Sequence, residues 1–221
     1  MNIKNLALIM LCIIICRYTC KAQSNENLCN PSSGFSVFLR SNEGYNGASH
    51  WKIKKFSDTK EDGSIVSKIN YDTKDWYPAI VPGTVLNSLV YNKVYPEPYY
   101  GDNNRKNKNL IPDIADAGRE FYHYWFRTEF EIPKDFAGKH VWLKFHGINY
   151  RCEIWVNGKY FGKMAGMFNT QSFDITSVAD FNKKNVVAVS VLPIDFPGTT
   201  KLKDTRPGAV GENHNGGDGE I

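Results

Sequence analysis

The sequence contains little glycine, proline and cysteine, and its net charge is small. Its 221 residues include 18 Gly and 10 Pro, well below the content of disordered or collagen-like chains. The formal net charge is +4, but residues 1–22 contain three Lys or Arg residues and no acidic residue, so the rest of the chain has a net charge close to +1. A nearly neutral chain has no broad cationic surface for phosphate backbones, which excludes nucleic acid as a partner.

Several catalytic signatures are also missing from the sequence. It contains no glycine-rich phosphate loop, no Cys-x-x-Cys, no His-Glu-x-x-His and no Gly-x-Ser-x-Gly. The five histidines are scattered, and none has a second His or Cys at ligand spacing. Paired carboxylates could hydrolyse glycosides, but the spacing of the acidic residues brings no two of them together. We therefore predict no catalytic residue, no metal site and no cofactor in this chain.

Residues 1–22 are typical of a secretory signal peptide. Residues 6–16 form an apolar run of 11 residues, which as a helix would rise only ~16 Å, about half of a bilayer core. Small residues lie one and three positions before Gln23, as signal peptidase requires. The segment predicts a secreted or periplasmic protein without an integral membrane span.

The cysteines allow two further interpretations. Cys16 and Cys20 follow the apolar run, but the residues before them are Ile and Thr rather than the small residues of a lipid-attachment site, so lipidation is the less favoured alternative. After cleavage Cys29 and Cys152 remain. An oxidising compartment permits a disulfide between them, whereas two unpaired thiols are the favoured interpretation.

From residue 45 to residue 200 the pattern favours β-structure. Between residues 122 and 132 the even positions are apolar, aromatic or threonine, and Arg127 and Glu129 lie opposite, which predicts a half-buried strand. Asn157-Gly158 predicts a tight hairpin because both residues tolerate positive φ. Thr84 predicts the N-cap of one short helix ending at Tyr91. Strand-like runs recur without long helical patterns between them, so we predict an all-β sandwich.

The composition divides the chain into four parts. These are the signal peptide (1–22), a polar lead-in (23–44), the sandwich domain (45–200) and a glycine-rich connector (201–221). The last 14 residues contain five Gly and no apolar strand, a composition typical of a segment between two structured pieces. We therefore expect the sequence to be part of a longer protein.

One loop combines aromatic and polar residues as sugar-binding sites do. Tyr95, Tyr99 and Tyr100 lie in a proline-punctuated segment too polar for a core, and Asp102 and Asn103 follow directly. A pyranose offers apolar C–H faces and hydroxyl edges, which match aromatic platforms flanked by carboxylate and amide groups. We predict that Tyr99, Tyr100, Asp102 and Asn103 contact a glycan. The alternative is that the tyrosines fasten the loop to the sandwich and Asp102-Asn103 turns the chain.

An ordered series of segments resembles a known family. The segments are WYPAIVPGTVLNSLV (76–90), YPEPYYGDN (95–103), FYHYWFRTEFEIP (121–133), HGINYRCEIWVNGKYFG (146–162), SFDIT (172–176) and NVVAVSV (185–191). They resemble the N-terminal sugar-binding domain of glycoside hydrolase family 2, and within it the exo-β-glucosaminidase and β-mannosidase-like branch. Any one segment is weak evidence, but six in order are specific.

The resemblance implies a galactose-binding-like jelly roll, followed in the family by an immunoglobulin-like domain and a catalytic (β/α)₈ barrel. Both catalytic glutamates of the family lie in that barrel, so we expect this chain alone to be inactive. We expect its partners to be a β-linked glycan or oligosaccharide and the missing domains of the parent chain. A stand-alone carbohydrate-binding module and an extracellular adhesion module are the alternatives.

Overall fold

The computed structural model describes residues 36–40, 50–104, 108 and 110–194. All of these residues except Ser36 belong to the second of two compact units, Val37–Ile221. The predicted signal peptide (1–22) and connector (201–221) lie outside the described residues, as does most of the predicted lead-in (23–44). Within the described part of the chain, no helix has the length and apolar character needed to cross a membrane.

The described residues form strands joined by short helices, as the sequence predicts. The strands are β1 (Lys52–Lys55), β2 (Tyr77–Pro78), β3 (Tyr124–Phe130), β4 (Trp142–Phe145), β5 (Arg151–Val156), β6 (Lys159–Ala165), β7 (Gln171–Asp174) and β8 (Asn185–Leu192). The α-helices are α1 (Gly63–Val66), α2 (Val85–Tyr91) and α3 (Ile114–Ala117). Single 3₁₀ turns cover Phe56–Asp58, Arg119–Tyr122, Lys134–Phe136 and Thr176–Val178. The predicted helix is α2, and α1 and α3 are additional single turns.

The strands form two antiparallel sheets. The larger has the order β2-β1-β3-β8-β5-β6, and the smaller pairs β4 with β7. The Asn157-Gly158 hairpin between β5 and β6 is confirmed, with φ angles of 49° and 85°. Since these positive φ values suit asparagine and glycine, the turn sets the register of the two strands.

The main core fills the space between the two sheets. Ile53, Phe126, Val189 and Ile154 pair in register across β1, β3, β8 and β5, and all four are fully buried. Burial of each such side chain contributes about 1.5–3 kcal/mol. The row continues to Gly162 of β6, where an added Cβ would lie 3.2 Å from Phe173 Cε1 on β7. Glycine here lets the small sheet approach the large one closely.

The outer face of the large sheet is covered as well. Trp125 and Ala188 on this face pack with Val66 of α1 and with Trp76 in a second apolar cluster. Asp62 caps α1 by accepting from Ser64 N at 2.9 Å. The prediction that the strand at 122–132 is half-buried is therefore wrong for Tyr124–Thr128, where every residue is buried. The cause is non-local, because residues 62–76 fold back over this face.

Candidate functional site

Several loops gather at one end of the sandwich. In the sheet register Tyr124 pairs with Val191, Val191 with Cys152, and Cys152 with Met164. The starts of β3 and β5 therefore lie beside the ends of β8 and β6. The same end receives residues 146–150, which join β4 to β5, and residues 166–170, which join β6 to β7.

Residues 92–104 belong to the same end of the domain. Tyr95 packs against the main core, which includes Tyr124, the first residue of β3. The predicted exposure of Tyr95 is wrong, since it is half-buried, and burial raises its pKa. We call the segments 92–104, 146–150 and 166–170 together the loop end.

Helix α2 fixes the root of the 92–104 loop. Thr84 Oγ1 accepts from Asn87 N at 3.0 Å, which confirms the predicted N-cap. At the other end Asn92 Nδ2 donates to Pro78 O at 2.7 Å, tying the helix to β2. Lys93 then takes a φ of 60°, and Val94 N donates to Leu89 O at 2.9 Å. This closing turn satisfies a helix-end carbonyl and directs the chain into the loop.

The tip of this loop carries the predicted glycan contacts. Tyr99 is 92% exposed and Tyr100 76% exposed, which confirms that these two rings lie outside the core. Asp102 is exposed, whereas Asn103 is half-buried and its Nδ2 donates to Glu97 O at 2.9 Å. Tyr100 N donates to the same carbonyl at 3.2 Å. Asn103 thus also holds the turn that presents Tyr100, and the contact of all four residues with a glycan stays a prediction.

Phe168 is a candidate that the sequence pattern did not reveal. Its ring is 91% exposed in the loop after β6. The loop is seated on residues 146–150, because Gly166 N donates to Tyr150 O at 2.8 Å and Thr170 Oγ1 donates to His146 O at 3.1 Å. In the sequence, the feature that could have indicated Phe168 is an apolar Met-Phe dipeptide between Gly166 and an asparagine, inside a turn. The loop end therefore presents exposed aromatic rings on two of its segments.

One cluster of three side chains has the appearance of a catalytic triad. Ser190 Oγ lies 2.7 Å from His123 Nε2, and His123 Nδ1 lies 3.4 Å from Glu120 Oε2. However, Ser190 is only 5% exposed, and the Phe56 ring stacks on the imidazole with centroids 3.8 Å apart. Burial lowers the pKa of His123 below its usual value, against the opposing effect of Glu120. The Phe56 ring and the burial of Ser190 therefore restrict access of a substrate to this cluster.

The remaining reactive groups of the described residues are sparse. Cys152 carries a free thiol that is 2% exposed, and burial raises its pKa to about 12, so it behaves as an apolar side chain. Its possible partner Cys29 lies outside the described residues. No three His, Cys, Asp or Glu side chains in the described part of the chain are grouped as metal ligands.

Comparisons with known proteins agree with this geometry. Residues 51–213 match the family described as glycosyl hydrolase 2 galactose-binding domain-like. Mannosylglycoprotein endo-beta-mannosidase of Lilium longiflorum is 45% identical over 123 residues, which cover 56% of this chain and 12% of that protein. Exo-beta-D-glucosaminidase of Hypocrea jecorina is 30% identical over 154 residues, 66% of this chain and 16% of that protein. The chain therefore spans less than a fifth of the length of these relatives.

A solved structure gives the same result for the fold. The crystal structure of the Amycolatopsis orientalis exo-chitosanase CsxA superposes with a TM-score of 0.54 at 26% identity. The match covers 64% of this chain and 16% of that enzyme. It confirms the predicted galactose-binding-like β-sandwich.

Proposed function

Because the chain belongs to the glycosyl hydrolase 2 galactose-binding domain-like family, we propose that it is the N-terminal, sugar-side domain of a secreted, retaining β-glycosidase. The relatives are named for β-mannosyl and β-glucosaminyl linkages, so the substrate class is a β-linked hexose or hexosamine glycan. The partners of this domain would be that glycan and the immunoglobulin-like and barrel domains of the same polypeptide. Catalytic glutamates would belong to the barrel.

The observation that carries the binding role is the exposed tyrosine pair at the loop end. Tyr99 and Tyr100 are presented on a turn held by Glu97 O, with the Asp102 carboxylate exposed beside them. A turn whose backbone is already held in place loses little conformational entropy when a sugar stacks on its tyrosine rings. The Asp102 carboxylate can accept hydrogen bonds from sugar hydroxyls. These groups suit an open substrate-side surface better than an enclosed catalytic pocket.

Calorimetric titration of the chain with manno- and chito-oligosaccharides tests the binding role. We expect saturable binding that Tyr100→Ala weakens by about tenfold, the effect of losing ~1.4 kcal/mol of ring contact. Tyr160→Ala is the matched control, since that ring is 48% exposed on β6 near the hairpin at the other end of the strand. Equal losses in the two variants, or the absence of heat with every sugar, would contradict the loop-end site.

Catalysis is tested separately with aryl β-mannosides and β-glucosaminides. The chain alone should release no aryl alcohol, because its described residues place no acid/base and nucleophile carboxylates around a sugar site. Turnover that survives rigorous purification would overturn this assignment. Reading the source DNA past codon 221 in the same frame then distinguishes the two binding roles. A barrel with two catalytic glutamates supports the glycosidase, and an immediate stop supports a stand-alone carbohydrate-binding module.

Secretion is the last part of the proposal. The support is the 11-residue apolar run and the small residues before Gln23. Mass spectrometry of the exported protein should find an N-terminus at Gln23. A mature chain beginning at Cys16 or Cys20 with the added mass of acyl chains would instead establish lipidation.

A further inference from the structure

The outer face of the small sheet carries a solitary exposed tryptophan. Trp142 on β4 is 59% exposed, whereas Leu143 is half-buried and Phe145 is buried, so the strand turns its apolar side inward and this indole outward. Trp51, Trp76 and Trp125 are each at most 5% exposed, and Trp155 is half-buried. An indole held on a rigid strand and facing solvent is therefore exceptional in this chain.

Polar side chains surround this indole on the same face. Trp142 pairs with Asp174 across the sheet, and Lys144 pairs with Ser172. Directly paired residues share a face with Cβ atoms about 4.5–5.5 Å apart. The imidazole of His140 lies alongside, its ring centroid 6.5 Å from that of Trp142 and inclined by 29°. One aromatic platform is thus bordered by a carboxylate, an imidazole, a hydroxyl and an ammonium group.

A hydrogen-bond chain fixes the polar side of the platform. Thr176 N donates to Asp174 Oδ1 at 2.9 Å, and the Thr176 hydroxyl also donates to that oxygen. The other carboxylate oxygen, Asp174 Oδ2, lies 2.9 Å from His140 Nδ1. Thr176 Oγ1 in turn accepts from Val141 N at 2.8 Å, which ties the network to the residue before Trp142. The network therefore fixes the Asp174 carboxylate relative to the backbone that carries Trp142.

We propose that this face is a glycan-binding surface, separate from the loop end, which takes a neutral β-linked oligosaccharide lying along β4. The indole would receive the C–H face of one pyranose, and Asp174 and His140 would bind its hydroxyls. Lys144 follows two residues after Trp142, about 6.6 Å further along the strand, where it meets the next sugar unit. This site does not depend on the loop-end proposal, because it uses none of the same residues.

The chemistry of the face selects this occupant over others. Asp174, which pairs with Trp142 across the sheet, and His140, which lies alongside the indole, are both polar, whereas the centre of a protein interface is depleted in charged residues. The Asp174 carboxylate and the Lys144 ammonium are of opposite sign, so the face offers no net charge to a phosphate or a polycation. A polyhydroxylated, uncharged ring uses both the indole and every polar neighbour.

Tryptophan fluorescence of the whole chain tests the proposal. The probes are mannohexaose, cellohexaose and xylohexaose, each titrated to millimolar concentration in the presence of acrylamide, which quenches exposed indoles. We expect at least one of them to protect the exposed component. Trp142→Ala and Trp142→Phe remove this reporter, so their affinities are measured by calorimetric titration, where we expect a reduction of about tenfold or more for Trp142→Ala and a smaller one for Trp142→Phe. Asp174→Asn keeps an acceptor but removes the charge, and should weaken binding without abolishing it.

One control variant and a folding check keep the result interpretable. Tyr100→Ala alters the loop end and should leave protection of Trp142 unchanged, while circular dichroism verifies that each variant is folded. Binding that Tyr100→Ala abolishes and Trp142→Ala leaves intact would overturn this site while supporting the loop end. A folded chain in which none of the three sugars changes the quenching of Trp142 would overturn the proposal as well.

Discussion

Replacement of Arg127 by methionine should remove a large part of the stability of this domain. The side chain is only 3% exposed. Its Nε donates to Val66 O at 3.0 Å, and its Nη2 donates to Lys68 O at 3.0 Å and to Glu129 Oε1 at 3.1 Å. Methionine keeps the apolar stem and removes all three hydrogen bonds. Because Val66 and Lys68 lie about sixty residues earlier, Arg127 fastens the α1 segment to the central strand.

The cost can be worked out bond by bond. Removing one partner of a buried ion pair costs about 3–5 kcal/mol when the remaining charge is stranded. Here the side chain of Glu129 is 32% exposed and lies 3.7 Å from Lys184 Nζ, so its charge regains water and a second partner. Lys68 is exposed and its carbonyl can bind water, but Val66 is fully buried. We therefore expect Arg127→Met to reduce the free energy of unfolding by about 3 kcal/mol, the lower end of this range.

Urea unfolding followed by circular dichroism measures this loss, which corresponds to a fall in Tm of roughly 10 °C. Lys184→Met is the matched control, since it removes a cation from the same glutamate but its side chain is 57% exposed. That variant should lose less than about 0.5 kcal/mol. An Arg127→Met protein within ~1 kcal/mol of the parent, or a control that loses as much, would refute the reasoning that burial makes the difference.

Three further predictions concern single side chains. Burial lowers the pKa of His123 below 6.5, so the unfolded chain binds this proton more readily. The free energy of unfolding should therefore be highest above about pH 6.5 and decrease below that pH by at most ~1.4 kcal/mol per pH unit. His123→Gln should reduce this pH dependence, measured by urea unfolding between about pH 7 and pH 5. Burial raises the pKa of Cys152 to about 12, so the native thiol should not react with Ellman's reagent. The test uses a variant in which the other cysteines are replaced by serine, and reaction is expected only after denaturant is added. Prompt labelling would contradict it. Gly63→Ala should lower Tm, because the new Cβ would lie 2.1 Å from Trp155 Cδ2. Such overpacking costs about 1–3 kcal/mol, which is at least as much as the ~1 kcal/mol that alanine gains over glycine in helix propensity.

The features that the sequence predicts correctly depend on near neighbours in the chain. The Asn157-Gly158 turn needs only two residues that accept positive φ, and both do so. The N-cap at Thr84 needs only its own hydroxyl and an amide three residues on. The loop tyrosines Tyr99 and Tyr100 are exposed because prolines and polar residues around them offer no apolar surface to bury against.

The features that the sequence does not predict depend on distant segments. Alternation between residues 122 and 132 assigns Arg127 to a solvated face, yet residues 62–76 cover that face and bury the guanidinium. The half-burial of Tyr95 likewise arises from the main core, which is built from strands on both sides of it in the sequence. The sequence does not predict the exposure of Phe168, because a single phenylalanine in a turn has the same local pattern whether it is buried or exposed.

The tryptophans show most directly why exposure, and with it function, needs the assembled sheets. Trp125 and Trp142 both lie within strands and both have polar residues two positions away. Trp125 is 1% exposed because α1 and Trp76 pack over the large sheet, while Trp142 is 59% exposed on the outer face of the small one. A buried indole stabilises the fold through its area, whereas an exposed one contributes little to stability and is free to meet a ligand. Trp142→Ala should therefore change glycan binding with little change in Tm, while Trp125→Ala should unfold the domain at lower temperature by removing about 3–5 kcal/mol.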